Sequence, residues 1–572
     1  MLKMEKRRTS FPLVVVFLGL LIGNAAGQDN VQLFTNGSIY IDGDRKADSL
    51  LVINGLVKAI GVNPEVYKNA TVVDLNGAAA YPGFIDSHVH LVEAGYGFSS
   101  GCDLYGADDA DAICKTVGPI AARLPKGEPM FGGGFSLEDY DAWSLEDLSK
   151  LDNVTGDRPV FLGDQLGHNA IVNSAAMEIC NISSDTKVPI GGKIVCQNGM
   201  PTGMLRESAM TLVGNVLFPK FSEDQIRPVA KKFFDYWASF GYTSINDLSG
   251  FSGGRMLKPD MLKKMEKDGE LPIRVNFLYT LFSLDEIYNA LQYVGKDTEQ
   301  VRFIGLKIFV DGAFAGGQAW TSWENMQGNH GLNYVYADDS SGKNYNITRI
   351  VEKADQLNLD VHYHVQGDMA IGAVLDALDK VEAKHGKLNS THTLIHLAFL
   401  TDEDVARIKK FNGSVVTTVQ PAFWRVEENL TRYYGNRIED SYPMHKLLDA
   451  NVSVGISTDF GVSPLDISPP TAIIEIASTG AGDPEHHLPI SVRDVINGLT
   501  VGSAATTPKK DIGRLDIGYK ADMVVYDQDL YSVPLDKFTK DNPAVLATYI
   551  SGKQVYFIEY PAALLRGWPT YG

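Results

Sequence analysis

Short apolar segments, each followed by a longer amphipathic stretch, recur through the middle of this sequence. They cover residues 82–87, 242–247, 273–280, 305–310, 360–364, 393–396, 414–419 and 453–458. Strands that alternate with helices pair in parallel, because each helical crossover returns the chain to the same end of the sheet. Eight such units suit a closed sheet. The expected fold class is therefore α/β, a (β/α)8 TIM-type barrel. A further apolar segment, 159–164, falls in the long gap between the first two and is assigned to an insertion over about 93–235.

Both ends of the chain read differently. Residues 31–80 hold short strands around Gly37–Tyr40, Ser49–Ile53 and Thr71–Val73, with a hairpin signal at Asn54-Gly55. A related pattern returns at Ala521–Tyr526, Ala547–Ile550 and Gln554–Tyr556. Residues 28–81 and 508–557 are thus expected to form one small β-sandwich from both termini, with the barrel spanning 82–507.

Ahead of these strands, Lys3, Lys6, Arg7 and Arg8 precede an apolar run from Phe11 to Gly23, followed by Ala25, Ala26 and Gly27. That run is short for a membrane span, so residues 1–27 read as a signal peptide, with an uncleaved anchor as the alternative. No other segment is long and apolar enough to span. Asn-x-Ser/Thr sequons begin at Asn36, Asn69, Asn153, Asn181, Asn346, Asn389, Asn412, Asn429 and Asn451. They exceed what chance yields and favour the secretory pathway, with a secreted or lumenal product. In that compartment Cys102–Cys114 and Cys180–Cys196 are disulfide candidates, against a reading of four buried thiols. The absence of Cys-x-x-Cys argues against a structural zinc knot. A formal net charge of -19 argues against a nucleic-acid partner, which would want a basic face.

The chemistry gathers at the ends of the apolar segments. His88 and His90 sit two apart in Pro82-Gly83-Phe84-Ile85-Asp86-Ser87-His88-Val89-His90, so a strand points both to one face. Two imidazoles so close suit a transition metal, although His-x-His alone is more often a chance surface pair. His364 ends the segment 359–364, His396 ends 393–396, and Asp459 follows 452–458. Barrel enzymes place their sites at these C-terminal strand ends, and such recurrence is hard to assign to chance. Lys307 lies in the apolar strand Gly305–Val310. A buried lysine is costly unless paired, with Asp311 for example, or chemically changed, as by carbon dioxide into a carbamate that bridges two cations. Trp320, Trp323, Phe423 and Trp424 follow barrel strands; they either line an apolar substrate pocket or pack helices onto the rim.

The first-strand signature resembles that of the amidohydrolase superfamily. Gly203–Glu207, Lys307–Gly312, His364–Asp368, Val419-Gln420-Pro421 and Gly513–Asp522 narrow the resemblance to its YtcJ-like, or amidohydrolase 3, branch, which includes N-substituted formamide deformylases. The resemblance runs from about residue 31 to about 557. It implies a buried metal on His88, His90 and Asp459, and a carboxylated Lys307 bridging to a second metal on His364 and His396. It also places His168 beside the substrate as a second catalytic candidate. One or two divalent ions are implied, zinc first among them. The implied activity is hydrolysis of a non-peptide carbon–nitrogen bond in a small amide or formamide-like molecule by metal-activated water, with Asp459 moving the proton. A homodimer is compatible with the resemblance. The sequence departs from the branch at Ala313–Gln318, at Ile395 and at Val365-Gln366, which puts substrate identity in doubt more than metal binding. The substituted loop at 313–318 also gives some support to the alternative, a non-catalytic binding protein on a retained hydrolase fold.

Overall fold

The computed structural model describes residues 30–91, 102–165, 167–189, 192–217, 222–248, 258–335, 345–411, 413–421, 423, 430–463, 465–480, 489–538 and 543–558. Its centre is a nearly closed parallel barrel of eight strands. These are β1 (Phe84–Val89), β2 (Tyr242–Asp247), β3 (Arg274–Thr280), β4 (Val301–Phe309), β5 (Val361–Val365), β6 (His392–His396), β7 (Val415–Val419) and β8 (Val454–Ile456). Each pairs with the next in chain order. Apart from the end of β3 they are buried along their whole length, as expected of strands covered on both faces. The helix Asp368–His385 shows why the crossovers pack: Ile371, Val374, Leu375 and Leu378 recur at helical spacing and are buried.

Closure occurs between β1 and β8, and polar groups make it. Asp459 N–H donates to His88 O at 2.9 Å, and His90 N–H donates to Phe460 O at 2.7 Å. Below them the buried Asp86 accepts from Thr458 N–H at 3.0 Å and from its hydroxyl at 2.7 Å. Asp86 also accepts from Trp237 Nε1 at 3.1 Å. Trp237 is buried on the helix Glu223–Ser239 and stacks on Phe233 with ring centroids 4.1 Å apart.

The two ends of the chain join in one eight-stranded sheet. Its order is Lys553–Phe557, Val545–Ile550, Met523–Tyr526, Ala79–Pro82, Val31–Tyr40, Lys46–Ile53 and Leu56–Ile60, with Thr71–Asp74 also on Val31–Tyr40. The sheet curls over its own core: Phe34 and Tyr549 meet edge to face at 5.2 Å, although two strands lie between theirs. Arg274, fully buried at the start of β3, ties barrel to sheet. It grips Asp522 through Nε and Nη2, both at 3.0 Å, and reaches Glu299 and Ser551.

Between β1 and β2 a second sheet forms, in the order Lys193–Gln197, Met200–Arg206, Asn169–Val172, Val160–Asp164, Met130–Phe135. The segment 159–164 is therefore a strand of this smaller sheet and not of the barrel. The cysteines correct an expectation: neither Cys102–Cys114 nor Cys180–Cys196 is bridged. Cys102 is buried in the small sheet's core, where its sulfur would lie 2.7 Å from a Cβ added at Gly132. Cys114 rides on the helix Ala110–Ala121 at the margin of that core. Cys180 packs against the barrel core, whereas Cys196 is exposed. Among the described residues no helix is long and apolar enough to cross a membrane. The N-terminal segment 1–27, the sequons at Asn412 and Asn429, and Trp424 lie outside the described residues.

Candidate metal centre

The β1–β8 seam carries the ligand-type residues. His88 is the penultimate residue of β1, His90 lies just past its end, and Asp459 follows β8. His88 Nε2 and His90 Nε2 are 3.0 Å apart. Each is 3.2 Å from Asp459 Oδ1. The three side chains are buried and their ligand atoms all lie within 4.8 Å of one another. His396 follows: its Nδ1 is 3.9 Å from Asp459 Oδ2, and its ring lies 5.1 Å from His88 and 4.5 Å from His364. Lys307 is fully buried in β4, with Nζ 4.9 Å from the Phe309 ring centre. The barrel thus gathers at one mouth all the residues expected to hold metal.

Burial, followed by the charges of Lys307 and the neighbouring imidazoles, drives His88 well below the ordinary histidine range. Burial and the neighbouring His396, His168 and Lys307 do the same to His364. His396 is pushed down to about 3, chiefly by burial. Burial alone would raise Asp459, but His90, His396 and Lys307 outweigh it and hold the carboxyl below its usual range. Neutral imidazoles beside an ionised carboxylate are the protonation states that metal binding demands. Two neutral imidazoles facing each other share at most one proton between the opposed nitrogens, whereas a cation takes both lone pairs and the carboxylate together. Nitrogen and oxygen donors in this number suit a divalent transition metal such as zinc, so the residues fit the group.

Backbone strain marks the same place. Asp459 (φ 54°), His396 (φ 76°) and Glu207 (φ 53°) occupy the left-handed region, where most of the other non-glycine residues are asparagines. Such conformations cost about 1–3 kcal/mol each and persist where the surrounding structure imposes them.

His168 comes from the insertion. Asp164 accepts from the backbone N–H groups of His168 and Asn169, at 2.9 and 3.0 Å, and so shapes the turn that presents the imidazole. Its ring lies 5.4 Å from His364. Its Nδ1 lies 2.7 Å from the fully buried Glu207 Oε2. Burial would lower the imidazole, but Glu207 reverses the sign and its pKa is raised. The Gln318 amide, in the loop that departs from the branch pattern, lies against Glu207 and Arg206. Phe423 stacks on His396 with centroids 5.9 Å apart. Trp320 enters through its backbone, donating N–H to Asp311 Oδ2 at 3.0 Å. Asp311 also accepts from Gln366 and Gly367 N–H, which pins the loop after β4 to the loop after β5.

The family model described as the amidohydrolase family, Amidohydro_3, matches residues 71–556. The chain belongs to the amidohydrolase family. Among its relatives is the YtcJ protein of Bacillus subtilis, 27% identical over 92% of this chain and 99% of that protein. Another is an N-substituted formamide deformylase of Arthrobacter pascens, 25% identical over 88% of this chain and 94% of that enzyme. A metal-dependent hydrolase structure from Pyrococcus horikoshii superposes with a TM-score of 0.70 at 23% identity, covering 88% of this chain and 99% of that one, a likeness of fold. A hydrolytic function and a divalent metal are in keeping with this amidohydrolase and its seam of ligands.

Sequence reasoning assigned no role to Glu207, Asp86 or Gln420, and offered Asp311 only as a pairing partner for Lys307. Glu207 lies 39 positions from His168, and nothing local reveals the pairing. Gln420 carried the signal used for the histidines, a polar residue just after an apolar strand.

Proposed function

We propose that this amidohydrolase cleaves a non-peptide carbon–nitrogen bond in a small amide or formamide-like substrate. The observation that carries the reading is the convergence of His88 Nε2, His90 Nε2 and Asp459 Oδ1 at 3.0–3.2 Å in a buried seam. A divalent ion there, zinc by the chemistry of the donors, would lower the pKa of water and polarise the scissile carbonyl. Ionised Asp459 accepts the proton of the attacking water and returns it to the leaving nitrogen. His168, fixed by Glu207, offers a hydrogen bond to the substrate oxygen. Phe423, flat against His396, gives the pocket an apolar wall. A relative that acts on N-substituted formamides supports the choice of bond.

Lys307 acts as a bridging ligand in this reading, once carboxylated. As an ammonium it depresses His88, His364 and His396 together, a field that also repels a cation; a carbamate reverses the sign. Asp459→Asn with metal content counted tests the mechanism. Asparagine tolerates the left-handed backbone, so the ions remain in part while kcat falls by roughly 10²–10⁴. Full activity without the carboxylate would sink the proton-transfer role, and metal without turnover of any amide, cyclic amide or ester by the wild type would favour a binding protein. Lys307→Ala lowers the ion count if the lysine bridges, and unchanged occupancy excludes the bridge.

We also infer entry into the secretory pathway, supported by the basic and apolar pattern of residues 3–27 and by the sequons, of which Asn36, Asn69, Asn153, Asn181, Asn389 and Asn451 are exposed. Expression in a eukaryotic secretory host with and without glycosidase checks it. An intracellular product with no mass shift would refute it.

A further inference from the structure

Beneath the ligands, a ladder of buried polar side chains crosses the barrel interior. His396 Nδ1 lies 2.8 Å from Gln420 Oε1. Gln420 Nε2 donates to Ser457 Oγ at 2.9 Å. Ser457 Oγ is 3.3 Å from Thr418 Oγ1, which is 2.8 Å from Ser87 Oγ. Ser503 Oγ lies 3.1 Å from Ser87 Oγ and also faces Gly498 O at 2.8 Å and Ile456 O at 3.0 Å. All these residues are buried. The ladder therefore links β6, β7, β8 and β1, and it ends on the residue before His88.

One assignment of protons satisfies the chain. Gln420 spends its amino group on Ser457, so its carbonyl oxygen faces His396. Ser457 then donates to Thr418, Thr418 to Ser87 and Ser87 to Ser503, whose own proton goes to the carbonyl oxygen of Gly498 or Ile456. A carbonyl oxygen only accepts, so His396 Nδ1 must carry the proton. Its lone pair is left on Nε2.

We propose that Gln420 is a positioning residue that fixes the tautomer of His396, presenting Nε2 to the ion, and that Ser457, Thr418 and Ser87 hold the Gln420 amide in the required sense. This rests on the metal reading above. A histidine that lacks a partner on its far nitrogen rotates and divides between tautomers; one with a fixed acceptor does not. The ladder also gives His396 a mechanical link to the His88 seam, so the two halves of the site share one scaffold.

The test compares Gln420→Leu with Gln420→Glu in the full-length protein, by titrating chelated protein with zinc and counting bound ion. A carboxylate still accepts from Nδ1–H and a leucine does not. Zinc affinity is expected to fall ~10–100-fold in Gln420→Leu and to stay near wild type in Gln420→Glu. Melting of the chelated variants checks that both fold. Equal affinity in Gln420→Leu and wild type, or equal loss in both variants, would overturn the proposal while leaving the metal centre standing. A wild type that binds no zinc would remove the metal reading itself and this one with it. A second readout needs no metal: the imidazole ¹⁵N spectrum of chelated protein, with His396 assigned through His396→Gln, should show Nδ1 protonated. An Nε2–H form would overturn the assignment.

Discussion

Asp459, His396 and Glu207 accept a backbone conformation that costs energy, and each has a part in the proposed chemistry. Burial acts on charge in the same way, and away from the centre Asp360 shows the cost plainly. Its carboxyl is held up at about 6 by burial, although it accepts from Thr391 N–H at 2.7 Å. An unfolded aspartate titrates at about 3.9. The folded state therefore binds this proton more tightly, and the ionised form lowers stability once pH passes about 6. Asp360→Asn keeps an acceptor for Thr391 and removes the charge. Its urea midpoint should exceed that of wild type above about pH 6, with the gain shrinking as pH falls and gone below about 4. A gain independent of pH would show that packing, not charge, is at issue. At this scale the candidate ligands stood out in the sequence because a histidine or aspartate ending an apolar run is conspicuous. Glu207 was not, since its role comes from a contact made only when the insertion folds over the barrel.

The loops after β4 and β5 behave as one element. Asp311 joins them through backbone amides, and Gly367 lets them approach. A Cβ at Gly367 would lie 1.9 Å from the backbone oxygen of Trp320 and 2.3 Å from its carbonyl carbon. Backbone cannot yield as a flexible side chain does. Gly367→Ala should therefore displace the 311–320 loop and lower kcat/KM by roughly 10²-fold, with bound metal unchanged. Kinetics equal to wild type would show that the two loops are not coupled. The barrel strands themselves were readable because their period, length and β-branched content agree. Strands of the smaller sheet were harder. Met130–Phe135 contains Gly132, Gly133 and Gly134, which read as a loop, and only pairing with Val160–Asp164 makes it a strand. The cysteines misled because a short separation in sequence does not by itself make a bond.

At the scale of the molecule, the metal centre and the barrel's closure are one structure. An ion on His88, His90 and Asp459 crosses the seam between the first strand and the last. Its binding stabilises the folded state by ~4 kcal/mol when free ion stands about a thousandfold above Kd. Chelation should lower Tm by several degrees and returned zinc should restore it. A Tm indifferent to chelator would mean that the seam holds no ion under those conditions. The barrel was anticipated from pattern alone, since it needs only local periodicity to be recognised, whereas the two ends, expected as a small β-sandwich, form one eight-stranded sheet.

The end sheet has a consequence for the order of events during synthesis. Ala79–Pro82 waits for Met523–Tyr526, its antiparallel neighbour, through more than four hundred intervening residues. Until those arrive, Ala79–Pro82, paired on its other side with Val31–Tyr40, presents an unpaired edge directly upstream of the first barrel strand. Contacts so distant in sequence form slowly, and exposed edges invite association with other chains. The nascent chain therefore carries its stickiest surface longest, and completion of the protein is decided by its last strands.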